Sequence, residues 1–151
     1  MEKTFRKKNT GSTRRNMNSN MSMKKFQKDI AIKFLEMLMM VKLYHWRTTS
    51  YATHKATDEL YTSLNGNIDK FIEVLLGKAG NRIDVIGPKS FSLIDIDSQA
   101  KLKQKIEGFK GYLVGLNNNK VIGIMSNSDL LNIRDEILGD LNQFLYLLTF
   151  K

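Results

Sequence analysis

Apolar residues return at helical spacing along the first stretch of ordered-looking sequence, Phe26, Ile30, Phe34, Leu38 and Val41, with His45 next on the same stripe. This pattern predicts a long first helix over residues 23–47. Residues 48–53 break it, with Ser50 or Thr53 placed to cap a second helix. The second helix runs to about Leu76 and stops at Gly77, where a left-handed cap fits. Its apolar side is Leu60, Leu64, Ile68, Phe71 and Leu75, while His54, Asp58, Asn65, Asp69 and Glu73 take the neighbouring arc. Residues 78–97, with Gly80, Gly87 and the only proline, Pro88, read as a long connection, and weak alternation over 90–97 hints at an extended segment. A third helix over 98–116 turns Leu102, Ile106, Phe109 and Leu113 inward and sets Gly108, Gly111 and Gly115 on one side, where small residues permit close helix approach. Residues 117–120 form a turn. A fourth helix follows from about Ser128, with Leu131, Leu138, Leu141, Leu145 and Leu148 apolar. The expected fold is all-α, an antiparallel four-helix bundle over residues 23–151 with a crossover between its second and third helices.

Charge adds an arm to this picture. Residues 1–28 hold Lys3, Arg6, Lys7, Lys8, Arg14, Arg15, Lys24, Lys25 and Lys28 against the single acid Glu2, which accounts for nearly all of the net +9. Residues 1–22 carry too little apolar content to offset ordering entropy and are expected as a flexible basic arm. Its cations suit phosphate, either nucleic acid or an acidic partner, with Lys3, Arg6, Lys7, Lys8, Arg14, Arg15, Lys24 and Lys25 as the contacts. The apolar run over 34–44 is interrupted by Glu36 and Lys42 and is too short to span a bilayer, so no membrane partner is expected. Met37, Met39 and Met40 fit a core better than a soft-metal site.

The absence of cysteine excludes disulfides and thiolate metal sites and suits a reducing compartment such as the cytoplasm. Two histidines among many carboxylates suit iron, zinc or manganese. His54 and Asp58 stand four residues apart, as do Asp69 and Glu73, so each pair stacks on one helix face and can grip one ion. From Asp58 to Asp69 a helix returns to nearly the same direction but advances roughly 16 Å, so one helix cannot close one site with both pairs. Two antiparallel copies can. A two-fold axis level with the midpoint between Ser63 and Leu64 sets His54 and Asp58 of one chain against Glu73 and Asp69 of the other, giving two equivalent shared sites in a homodimer. Tyr61 and Thr62 flank that axis. His45, on an apolar stripe where a solvated histidine is not expected, is a fifth candidate, or simply a satisfied core residue. Asp135, Glu136 and Asp140 of the last helix read as a solvated face.

At these residues the chain resembles Dps, the mini-ferritin family. The resemblance rests on the pair His45–Trp46 at the end of the first helix, on H-x-x-x-D (His54, Asp58) followed by D-x-x-x-E (Asp69, Glu73) on the second, and on DLNQFLYLL over 140–148. It implies a ferritin-like bundle, a di-iron ferroxidase site at a dimer interface built from His45, His54, Asp58, Asp69 and Glu73, oxidation of Fe(II) by peroxide or dioxygen, and storage of ferric product in a hollow oligomer. Trp46 would then stack or carry radical chemistry beside the site, or serve as a buried anchor. One departure is that the family usually has about three more residues between its two histidines. The chain is also similar to small ferritin-like proteins of large DNA viruses, which implies the alternative of a non-enzymatic virion or nucleoid component acting through the arm.

Overall fold

The computed structural model describes residues 11–84, 90, 92–124 and 127–150. Four long helices carry it: α1 (Gly11–Arg47), α2 (Tyr51–Ala79), α3 (Gln99–Gly115) and α5 (Ser128–Leu147), with a 3-10 turn (Leu116–Asn118) and the short α4 (Lys120–Ile124) before the last. The described chain is all-helical, without a strand among the described residues.

Side-chain pairs give the packing directions. His45 meets His54 beside the α1–α2 turn, and at the far end Gln27 and Asn81 exchange amide hydrogen bonds of 2.9 and 3.2 Å, so α1 and α2 run antiparallel. Asn67 donates to Asp140 at 2.9 Å and Lys78 reaches Asp129 at 2.7 Å, which sets α5 antiparallel to α2. The third contact joins α5 to α3. Arg134, only 5 % exposed, donates from Nη1 to the Leu113 carbonyl, from Nη2 to Asn117 Oδ1 and from Nε to Asp135 Oδ1. A buried guanidinium is tolerable because all three nitrogens find acceptors, and one of those acceptors is a carbonyl in the last turn of α3. Phe34 of α1 and Phe71 of α2 meet edge to face at 5.3 Å in the shared core, with Ile30, Leu64, Leu102, Ile106, Ile137 and Leu141 fully buried around them. Met37 and Met40 are buried there too.

Several boundaries differ from expectation. α1 begins at Gly11, so the backbone over 11–22, expected as a flexible arm, is helical. Met21 is nonetheless 70 % exposed, so this turn of helix is not held by packing. Once the packed part from Phe26 onward has nucleated the helix, each further residue adds one hydrogen bond, and neither proline nor glycine interrupts residues 12–47. α2 runs through Gly77; the left-handed cap is Gly80, at φ 66°, whose N–H bonds the Leu76 carbonyl. Residues 92–97 form no strand, and Ile96 is buried as an anchor instead. After the expected turn, α4 is an unforeseen helical turn. Asn119 Oδ1 accepts from the N–H groups of Val121 and Ile122, and both side chains are buried. The buried stripe of α5 is Leu130, Ile133, Ile137, Leu141 and Phe144, continued by Leu148, whereas Leu131, Leu138 and Leu145 are half-buried. Gly108, Gly111 and Gly115 are exposed, and a Cβ on any of them would meet nothing within 4 Å, so among the described residues no helix uses them for close approach. No helix among the described residues is long and apolar enough to cross a membrane.

Candidate metal centre

The link between α1 and α2 is only three residues, and it is tied locally. Ser50, in extended conformation, accepts at Oγ from the Thr53 N–H at 3.3 Å, and its own N–H reaches Thr48 Oγ1 at 3.2 Å. This tight turn brings the last turn of α1 against the first turn of α2. His45 and His54 stack there, with ring centroids 3.9 Å apart and planes 23° from parallel.

Each Nδ1 lies 3.1 Å from the backbone carbonyl oxygen of the other histidine. A carbonyl can only accept, so both Nδ1 atoms carry hydrogen, and in the neutral rings the lone pair is at Nε2. Thr57 fixes the arrangement further. Its buried hydroxyl lies 2.8 Å from the Thr53 carbonyl and 2.9 Å from that of His54, and it accepts from His45 Nδ1 at 3.2 Å. An Nδ1–H held by a backbone carbonyl is the usual outer support of a histidine that ligates metal through Nε2. His45 is 8 % exposed and its Nδ1 is satisfied by His54 and Thr57, whereas His54 opens to solvent. Thr57 itself escaped the sequence reading; its signal was a second threonine one turn after Thr53 on the buried side of α2.

Asp58, Asp69 and Glu73 are all exposed on one side of α2, together with His54, Thr62 and Asn65. Within one chain they do not converge, since no group of three His, Asp or Glu side chains among the described residues is close enough to hold a metal. None of the three carboxylates forms an ion pair or hydrogen bond among the described residues. The acids of α5 differ in this respect. Asp129 pairs with Lys78, Asp135 with Arg134 and Glu136 with Lys70, while Asp140 accepts from Asn67. The Lys78 ammonium and the Leu130 N–H hold the Asp129 carboxyl below its ordinary value of 3.8.

Trp46 is 69 % exposed rather than a buried anchor, and Lys42 lies 5.8 Å from its ring and 4.6 Å from that of Tyr61. Leu35, 43 % exposed, lies on the same flank of α1 as Trp46 by helical spacing. Of the basic candidates, Lys3, Arg6, Lys7 and Lys8 lie outside the described residues. Arg14 and Arg15 fall on the backbone of α1, with side chains outside the described part. Lys24 and Lys25 are exposed, Lys25 beside Asp29.

The arrangement is that of an all-helical protein with a histidine pair preset at Nε2 beside a stripe of carboxylates that have no ion pair among the described residues. Residues 45–148, well over half of the chain, match the model of a family of unknown function, DUF5856, and the chain belongs to that family. The matched region contains all five candidate residues. No curated protein and no solved structure matches.

Proposed function

We propose that this chain is a Dps-like mini-ferritin, a ferritin-like antiparallel bundle that dimerises through α2 and binds Fe(II) as a substrate between the two copies. The observation that carries the reading is the stripe of α2. Six of its exposed residues fall into three pairs equally spaced about the midpoint between Ser63 and Leu64: His54 with Glu73, Asp58 with Asp69, and Thr62 with Asn65. Antiparallel packing across a two-fold axis at that level brings each residue to the height of its counterpart on the partner. His54 and Asp58 of one chain then complete a site with Asp69 and Glu73 of the other.

The donor set suits iron, with manganese or zinc as the other metals such nitrogen and carboxylate ligands accept. His54 offers Nε2 with its tautomer preset, and the stacked His45 holds that ring in place and adds a second Nε2. The carboxylates neutralise the cation and favour the ferric state. Two Fe(II) give two electrons to one peroxide, which takes up two protons and leaves as two waters; dioxygen is the other candidate oxidant. Ferric product would collect in a larger hollow oligomer.

A second reading is favoured by the placement of charge. Residues 1–28 hold nearly all of the excess cation, which fits a nucleoid or virion component of a large DNA virus that binds nucleic acid without iron chemistry. Stoichiometric Fe(II) addition under argon, followed by peroxide and ferric absorbance, separates the two. Rapid oxidation lost in Asp58→Asn supports the first reading, and oxidation no faster than that of Fe(II) in buffer overturns it.

A further inference from the structure

We propose that assembly of this protein is switched by divalent cation: the α2 faces repel one another when bare and close only when the ion is bound. The inference rests on the shared-site reading and extends it to regulation. The antiparallel pairing is favourable at most levels. Thr62 comes level with Asn65, and His54 with Glu73. At one level it is not, because Asp58 comes against Asp69, carboxylate to carboxylate, twice per dimer.

Among the described residues nothing relieves that opposition. Asp58, Asp69 and Glu73 have no cationic partner among the described residues, while Lys70 is turned to Glu136 at 3.6 Å and Lys42 lies against the Trp46 and Tyr61 rings. Desolvated like charges oppose association. An independent feature points to what reverses the sign. One helical turn from Asp58, His54 is exposed with Nδ1 committed to a carbonyl, and behind it the nine-tenths buried His45 is held the same way. In both rings Nε2 has no partner among the described residues, so a nitrogen donor is free one helical turn from the opposed carboxylates, at the level of the partner's Glu73.

A cation that binds the dimer and not the monomer tightens dimerisation by a factor of one plus its ratio to its dissociation constant at each site. At a hundredfold excess over that constant, two equivalent sites tighten it about 10⁴-fold. The apparent association constant then rises with a log–log slope approaching two in free metal.

Sedimentation velocity on the full chain tests this, with EDTA and then with MnCl₂, since Mn²⁺ separates assembly from iron oxidation. The expected result is monomer in EDTA and dimer in Mn²⁺, with the emission of Trp46, the only tryptophan, shifting to the blue as its surroundings dry. An Asp58→Asn/Asp69→Asn chain removes the opposed charges at exposed positions, and it should dimerise in EDTA and ignore Mn²⁺. Equal dimerisation of the natural chain in EDTA and Mn²⁺ would overturn the switch and leave the shared site standing. If both chains stay monomeric at every Mn²⁺ concentration, the switch and the α2 interface fall together.

Discussion

Replacing the two histidines singly and together measures how far the turn depends on them. His45→Leu removes one N–H that serves two acceptors, the His54 carbonyl and Thr57 Oγ1. Neither acceptor is left bare, because the Thr57 hydroxyl reaches the His54 carbonyl at 2.9 Å and uses its own proton there or on Thr53. The loss is therefore that of a made hydrogen bond, about 0.5–1.5 kcal/mol, and not of an orphaned polar group. Ring contact adds roughly 0.5–1.5 kcal/mol, while leucine keeps most of the buried volume. Together His45→Leu should cost about 1–3 kcal/mol. His54→Ala loses a more exposed hydrogen bond and the same ring contact, at roughly 1 kcal/mol. Because the contact is shared, the double variant should lose less than the singles combined, by about 0.5–1.5 kcal/mol. Urea unfolding in the presence of a chelator gives all four stabilities. Additivity within about 0.3 kcal/mol would mean that the rings do not interact and that the clasp does not exist.

Arg134→Met should cost about 2–4 kcal/mol, since Asn117 Oδ1 and the Leu113 carbonyl lose a buried donor, and an unchanged urea midpoint would contradict the role given to it. Arg134→Lys should recover little, because one ammonium cannot span three acceptors. Asp97 and Asp129 have folded pKa values lowered, by hydrogen bonds from Lys101 and Lys78 respectively, so their stabilisation is present above the ordinary value of 3.8 and is lost as pH falls through the folded values. Melting temperature followed down to about pH 2 should show that acid limb shallower in Asp129→Asn; an identical limb refutes the linkage. Deleting residues 1–22 removes Lys3, Arg6, Lys7, Lys8, Arg14 and Arg15, and should abolish most nucleic-acid retention and flatten its salt dependence; a gel-shift titration with unchanged retention would reject the arm as a phosphate contact.

The long helices were legible because their apolar residues repeat at helical spacing and bury one continuous face: Phe26 to Val41, Leu60 to Leu75, and Leu102 to Leu113 are inside as the spacing implies. What periodicity does not encode was harder to read. The start of α1 depends on propagation from a packed segment, and the end of α2 depends on Gly80 adopting a left-handed backbone when Gly77 was equally available. α4 is two buried residues held by one asparagine, too short for any period to register. On α5 the buried arc sits about one residue from the one its leucines suggest, because Ile133, Ile137 and Phe144 complete it. The exposed stripe of α2 followed directly from the spacing of its polar residues. The histidine clasp did not, since it needs the three-residue turn, two backbone carbonyls and a buried Thr57 hydroxyl, and Trp46, adjacent to His45 in sequence, points outward.

The central claim is that each metal site is divided between two chains. A His54→Ala/Asp58→Ala chain lacks one half of every site, and an Asp69→Ala/Glu73→Ala chain lacks the other, so each alone should lose both sites of its homodimer. Coexpressed and purified as the mixed dimer, they join the intact Asp69 and Glu73 of the first to the intact His54 and Asp58 of the second. Anaerobic titration calorimetry with Fe(II) should then find one restored site per mixed dimer, because the roughly 16 Å of helix rise between the pairs forbids cooperation within a chain. Fe(II) uptake by the mixed dimer no greater than that of either double variant would contradict the shared site.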